Sequence, residues 1–122
     1  MPLTEAQLRY LESQPVGRLA TVGPDGEPQN RPVGFRYNAE ADTIDIGGLR
    51  LAATQKFRNV DANGRAAFVV DDVISRTPWR VRGVEIRGRA EAVRDQAPPR
   101  EGMSGELIRL HVERVWAWGL ED

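Results

Sequence analysis

Val81-Arg82-Gly83-Val84-Glu85-Ile86-Arg87-Gly88-Arg89-Ala90-Glu91-Ala92-Val93 alternates strictly from Val84 to Ala92. Val84, Ile86, Gly88, Ala90 and Ala92 fall on one side, and Glu85, Arg87, Arg89 and Glu91 on the other. A period of two belongs to an extended strand. One apolar face and one charged face is the pattern of an antiparallel sheet with a single buried side. The small residues Gly88, Ala90 and Ala92 on the inner side imply a crowded or sharply curved sheet.

Upstream, Arg65-Ala66-Ala67-Phe68-Val69-Val70 shows no polar alternation after its first residue and reads as a strand buried on both faces. Asp71-Asp72 follows it. Neighbouring residues on a strand point to opposite faces, so the pair reads as a solvated strand end and not as a metal site. Ser75 to Pro78 reads as a loop with Trp79 just beyond it. Downstream, Arg94 to Gly105 is rich in Pro and Gly and reads as a loop. The following strand has Ile108, Leu110 and Val112 inward and Arg109, His111 and Glu113 outward, and it changes character at Arg114. His111 is therefore solvent-facing or paired across strands, and no Ser–Asp arrangement accompanies it. Trp116 and Trp118 share one strand face near the terminus. They cover either a subunit interface or a flat cofactor ring.

At the other end, Thr4 and Gln7 fit a capping box and Leu3 with Leu8 a hydrophobic staple, so a helix of about two turns precedes Pro15. Gly17 to Val22 and Glu27 to Tyr37 read as a hairpin about the turn Gly23-Pro24-Asp25-Gly26. Pro28 and Pro32 lie four residues apart, so both missing N–H groups fall on one edge of the returning strand. That edge faces solvent or opens to a ligand, and Gly34 favours the ligand. Thr43 to Gly47 is a third strand, and residues 52–62 form an internal helix stopped by Asn63-Gly64. The count is about six strands and two helices, without a βαβ rhythm except around residues 43–70. The fold class expected is mainly β: a small antiparallel barrel with a short N-terminal helix and one internal helix over an opening.

With 122 residues the chain forms one domain, residues 1–122, large enough for a real core. Net charge is −1, with acids interleaved among the arginines, which speaks against a nucleic-acid-binding barrel and against recruitment to anionic membranes. There is no cysteine and one histidine, which excludes disulfides, thiolate chemistry and multi-histidine metal sites. Neither a leader nor a membrane-spanning run is visible, and a cytoplasmic location is expected.

Of seventeen basic residues, Lys56 is the single lysine. It lies in Ala53-Thr54-Gln55-Lys56-Phe57-Arg58-Asn59-Val60, just after a strand closed by Gly47 and Gly48. A helix opening there would offer free N–H groups and a positive dipole end to a phosphate. Taken alone, the segment reads more readily as a surface helix with Phe57 and Val60 turned inward and the polar residues solvated.

The order of these features resembles the flavin-binding split barrels of the pyridoxamine 5′-phosphate oxidase type. The resemblance runs from Gln29-Asn30-Arg31-Pro32-Val33-Gly34-Phe35 through Gly47-Gly48, Thr54 to Val60, Phe68 to Asp72, Trp79 and Arg82 to Gly88, to Val115-Trp116. It implies a homodimer with two cofactor sites at the interface. Thr54, Gln55, Lys56, Arg58 and Asn59 would hold the cofactor phosphate beside Gly47 and Gly48. Asn30, Arg31, Pro32 and Val33 would run beside the ring, and Trp79 and Trp116 would line it from the partner subunit. Relatives that oxidise pyridoxamine phosphate carry a longer C-terminal region with an arginine-bearing motif, so vitamin salvage is not expected. The short form resembles the branch that uses the deazaflavin coenzyme F420, whose acidic tail Arg50, Arg58 and Arg76 would meet. The function expected is hydride transfer between bound F420 and a conjugated small molecule. The alternatives are an FMN-dependent oxidoreductase of the same fold and a non-catalytic carrier of a flavin, deazaflavin or tetrapyrrole.

Overall fold

The computed structural model describes residues 3–98 and 101–120. Helix α1 (Glu5–Glu12) opens with both bonds of the capping box, Gln7 N–H to Thr4 Oγ1 at 3.1 Å and Thr4 N–H to Gln7 Oε1 at 2.9 Å. It buries Ala6, Tyr10 and Leu11. Tyr10 then ties the helix to the sheet: its hydroxyl donates to Asp72 at 2.7 Å, and Arg82 lies 4.9 Å over its ring while bonding the same carboxylate at 2.8 Å.

Eight antiparallel strands follow: β1 (Gly17–Val22), β2 (Pro28–Val33), β3 (Arg36–Asn38), β4 (Thr43–Ile46), β5 (Arg65–Arg76), β6 (Trp79–Val93), β7 (Leu107–His111) and β8 (Arg114–Trp118). Their order is β2-β1-β5-β6-β7-β4-β3, with β8 also paired to β6. The 3₁₀ turn Leu51–Ala53 and helix α2 (Gln55–Asn63) lie between β4 and β5. Gly64, at φ +67°, ends α2 in the left-handed conformation that glycine adopts without strain.

β6 organises the molecule as its alternation requires. One edge pairs with β5 over Trp79 to Arg89, while the other pairs with β8 at Gly83–Arg87 and with β7 at Ala90–Val93. The strand thus belongs to two sheets, β2-β1-β5-β6-β8 and β6-β7-β4-β3, and is the strand they share. Gly88 marks the switch, where a Cβ would stand 2.0 Å from the carbonyl oxygen of His111. The crowding anticipated from the small residues is real. Ile44, Ile46, Leu51, Phe57, Phe68, Val70, Val84, Ile86, Ile108 and Leu110 form the core between the sheets and α2, each at most 1% exposed. Burial of so much apolar surface is the main force holding the fold.

The strand count exceeds the expected six or so for local reasons. The returning hairpin strand breaks at Gly34–Phe35, where the chain leaves one sheet for the other and restarts as β3. Residues 75–78 are half strand: β5 runs to Arg76, and only Thr77–Pro78 turns the chain before β6 begins at Trp79. Asp71 and Asp72 therefore sit within a strand, where Asp71 pairs with Arg18 and Asp72 with Arg82. β5 is buried on one face only: Phe68 and Val70 are in the core, and Ala67 and Val69 are half-buried on the other side. No helix among the described residues is long and apolar enough to cross a membrane.

Candidate functional site

The sheet and α2 converge on a cleft of about 550 Å³ lined by Leu19, Thr21, Glu27, Gln29, Asn30, Arg31, Thr54, Gln55 and Lys56. Thr54 caps the helix: its hydroxyl accepts the Phe57 N–H at 3.3 Å and donates to the Leu51 carbonyl at 2.6 Å. This cap orients the first turn so that Gln55 and Lys56 face β2. Because cross-strand and alternate residues share a face, Gln29 and Arg31 of β2 point to the same side as Leu19 and Thr21 of β1.

The cleft carries two cations, Lys56 and Arg31, and one acid, Glu27. Lys56 and Arg31 have no acidic partner within 4.0 Å among the described residues. Burial, reinforced by the charge of Arg31, holds the Lys56 ammonium below its ordinary pKa. Two cations close enough to disfavour each other at a helix N-terminus form a place where an anion is stabilised.

The sequence-predicted residues divide into those the cleft collects and those it does not. Asn30, Arg31, Thr54, Gln55 and Lys56 line it together. Pro32 faces the other side of β2, beside Arg18, and Val33 is 7% exposed in the core. Arg58 folds back, donating to the Ala53 carbonyl at 2.8 Å and to Gln55 at 2.9 Å. Asn59 is 1% exposed behind the cleft and bonds Thr21, Gln29 and Gln55. Gly48 accepts from Ser104, and Trp79 stands exposed at the β5–β6 hairpin turn. Trp116 lies on the outer face of β8, where Arg87 covers its ring at 4.3 Å. Glu27, Gln29, Leu19 and Thr21 line the cleft without having been singled out. The period of two in β2 was the signal that Gln29 accompanies Arg31.

Gly47 lines a different cavity, of about 420 Å³, with Phe35, Arg36, Asp45, Leu107 and Arg109. Its charges are committed to one another. Asp45 bonds Arg109 at 3.2 Å, Thr43 at 2.7 Å and Asn38 at 3.0 Å, with Arg36 at 4.0 Å. His111 pairs across strands with Glu91. No group of three or more potential metal ligands occurs among the described residues.

The sequence matches the family described as pyridoxamine 5′-phosphate oxidase over residues 3–119. It is 46% identical over 125 residues to a 5a,11a-dehydrotetracycline/5a,11a-dehydrooxytetracycline reductase of Streptomyces rimosus, covering 99% of this chain and 86% of that protein. A conserved hypothetical protein of Mycobacterium tuberculosis superposes with a TM-score of 0.75 at 22% identity, covering 96% of this chain and 85% of that one. An FAD-binding protein of Mesorhizobium loti superposes at 0.68 with 20% identity, covering 94% of each chain. At such identities the two structures speak for the fold, and the family match and the reductase speak for descent. With its eight antiparallel strands sharing β6 between two sheets, the chain belongs to the pyridoxamine 5′-phosphate oxidase family of split barrels.

Proposed function

We propose that the protein is an oxidoreductase that binds the deazaflavin coenzyme F420 and transfers hydride between it and a conjugated small molecule, acting as a cytoplasmic homodimer. The observation that carries this reading is the cleft in which Lys56 and Arg31 meet at the N-terminus of α2 without an acidic partner among the described residues. A phosphate is the group such a site suits. Thr54, the backbone N–H of Gln55, Lys56 and Arg31 would hold it, and Asn30 on the free edge of β2 would run toward the ring. When bound, the cofactor supplies the hydride. The chain's own residues bind, orient and exclude water, so the lack of an obvious catalytic acid is no objection. The S. rimosus relative, whose name describes reduction of 5a,11a-dehydro compounds, supports a reductase and suggests unsaturated polycycles as the first acceptors to try.

The dimer is supported by the outer face of the β2-β1-β5-β6-β8 sheet. Register places Pro32, Val69 and Trp116 in one cross-strand row on that face, with Ala20 and Ala67 in the next. Trp116 and Trp118 are 42% and 38% exposed. The charged residues of this face largely pair among themselves, Arg18 with Asp71 and Arg87 with Glu85. Covering it therefore strands few charges.

FMN shares the phosphate chemistry and is the second reading. Titration with oxidised F420 and with FMN, followed by tryptophan and cofactor fluorescence, separates them: preference for F420 is expected. Binding of neither would remove the enzyme reading. Stopped-flow oxidation of the bound, reduced cofactor should accelerate with an unsaturated polycyclic acceptor. A rate unmoved by a broad acceptor panel would mark a carrier instead.

A further inference from the structure

Side chains behind the cleft form a hydrogen-bond relay with only one possible direction. Arg58 Nη2 donates to Gln55 Oε1 at 2.9 Å. A guanidinium has no lone pair to offer, so the atom of Gln55 facing it must be the oxygen. The amide nitrogen of Gln55 is thereby turned to Asn59 and donates to its Oδ1 at 2.7 Å. Asn59, buried to 1% exposure, has its nitrogen left for the strands, and Nδ2 donates to Thr21 Oγ1 and to Gln29 Oε1, each at 3.0 Å. The relay ends with the Gln29 oxygen turned inward and Nε2 as the free end. That nitrogen sits over Gly23, where a Cβ would come within 2.9 Å of it. Oxygen and nitrogen of an amide are told apart by their partners, and here Arg58 decides the order three residues away along the relay.

Gln29 lines the same cleft as Lys56 and Arg31. We propose that Gln29 contacts the cleft's ligand as a hydrogen-bond donor to a carbonyl or anionic oxygen, and that Arg58, Gln55 and Asn59 are positioning residues that fix the polarity of this donor. The proposal rests on the reading of the cleft as the cofactor site, and it gives Arg58 a role through its neighbours in place of direct phosphate contact. The ligand class follows from the groups presented: an ammonium, a guanidinium and an amide N–H, against the single carboxylate of Glu27, favour an acceptor-rich, anionic partner.

A double-mutant cycle tests it, using the full chain with FMN and oxidised F420 as probes. Gln29→Met keeps the length of the side chain and removes both amide atoms; it should weaken binding about tenfold, the worth of one hydrogen bond to a charged acceptor. Arg58→Met should weaken binding similarly, because Gln55 is then free to flip. Arg58→Lys, which also only donates, should stay near the wild type. The double variant should bind no more weakly than Gln29→Met alone. Additive losses would mean that Arg58 touches the ligand itself and would overturn the relay, and unchanged affinity in Gln29→Met would overturn the contact. If the wild type bound neither probe, the proposed function and the contact would fall together. The relay would then be judged by side-chain amide exchange in ¹⁵N-labelled protein. Gln29 amide hydrogens that exchange much faster than those of Asn59 support it, and equal or slower exchange refutes it.

Discussion

The cleft beside α2 and the charged face of the β6-β7-β4-β3 sheet use the same residue types to opposite ends. On the sheet, Glu91, Arg109, Asp45 and Arg36 stand in cross-strand register, alternating in sign. Asp45, with its side chain 2% exposed, is surrounded by donors, and every cation near it has an acid to face. In the cleft, Arg31 and Lys56 face each other's charge instead. The difference teaches how to read an arginine-rich chain. A cation whose partner is a neighbouring strand supports the fold, whereas cations gathered with no acid in ion-pair range are arranged for something that arrives from outside.

The sharpest way to break this comparison is Asp45→Ala, which would leave Arg109 without its acid. Breaking a buried pair from one side costs about 3–5 kcal/mol, and denaturant unfolding should show a loss near the lower end because Arg109 retains some exposure. A loss below about 1 kcal/mol, the range of exposed pairs, would mean that the ladder is solvated and the contrast false. Lys56→Ala should do the reverse. Affinity for the phosphate-bearing cofactor should fall at least about tenfold, the loss of one charge-assisted bond, while the unfolding midpoint stays level or rises. A destabilised variant with intact affinity would turn Lys56 into a structural residue.

The smallest effects are those of pH, and they separate the two regions by sign. The Glu91 carboxyl lies below its ordinary 4.5, chiefly through its bond to His111, so its stabilisation is present above 4.5 and drains away as pH falls toward its folded value. Glu91→Gln should flatten that acid limb of the stability curve. The Lys56 ammonium lies below its ordinary 10.5, so the unfolded chain binds more protons there and stability rises as pH climbs toward 10.5. Lys56→Met should abolish that alkaline gain. Identical slopes in the variants and the wild type would remove the electrostatic contrast.

Much of this was legible beforehand where the determinant is local. The alternation of Val84 to Ala92 gave β6 its inward face, the capping box placed the start of α1, and Asn63-Gly64 placed the end of α2, whose expected start at residue 52 falls in the 3₁₀ turn before the Thr54 cap. The break at Gly34 was hidden because Arg36-Tyr37-Asn38 is as good a strand sequence as what precedes it, and only the second sheet says where it pairs. The hairpin through residues 75–78 was hidden for a similar reason: a Ser-Arg-Thr-Pro segment reads as loop until its cross-strand partners Trp79 and Arg80 are known. Within the cleft, Thr54, Gln55 and Lys56 were found because helix N-termini advertise themselves in sequence. Asn59 was expected to hold the phosphate but is buried behind the cleft, because its place depends on Thr21 and Gln29, strand residues 38 and 30 positions away.

The passage of β6 from one sheet into the other has a thermodynamic consequence. Neither sheet can peel away without stripping hydrogen bonds from a strand that the other also needs, so the barrel should open as a unit, with the innermost amides exchanging only through global unfolding. A ligand seated against Lys56 then lowers the population of that open form everywhere by the same factor. Its arrival should be recorded by slowed exchange at Ile108 and Leu110, in a strand that lines no part of the cleft.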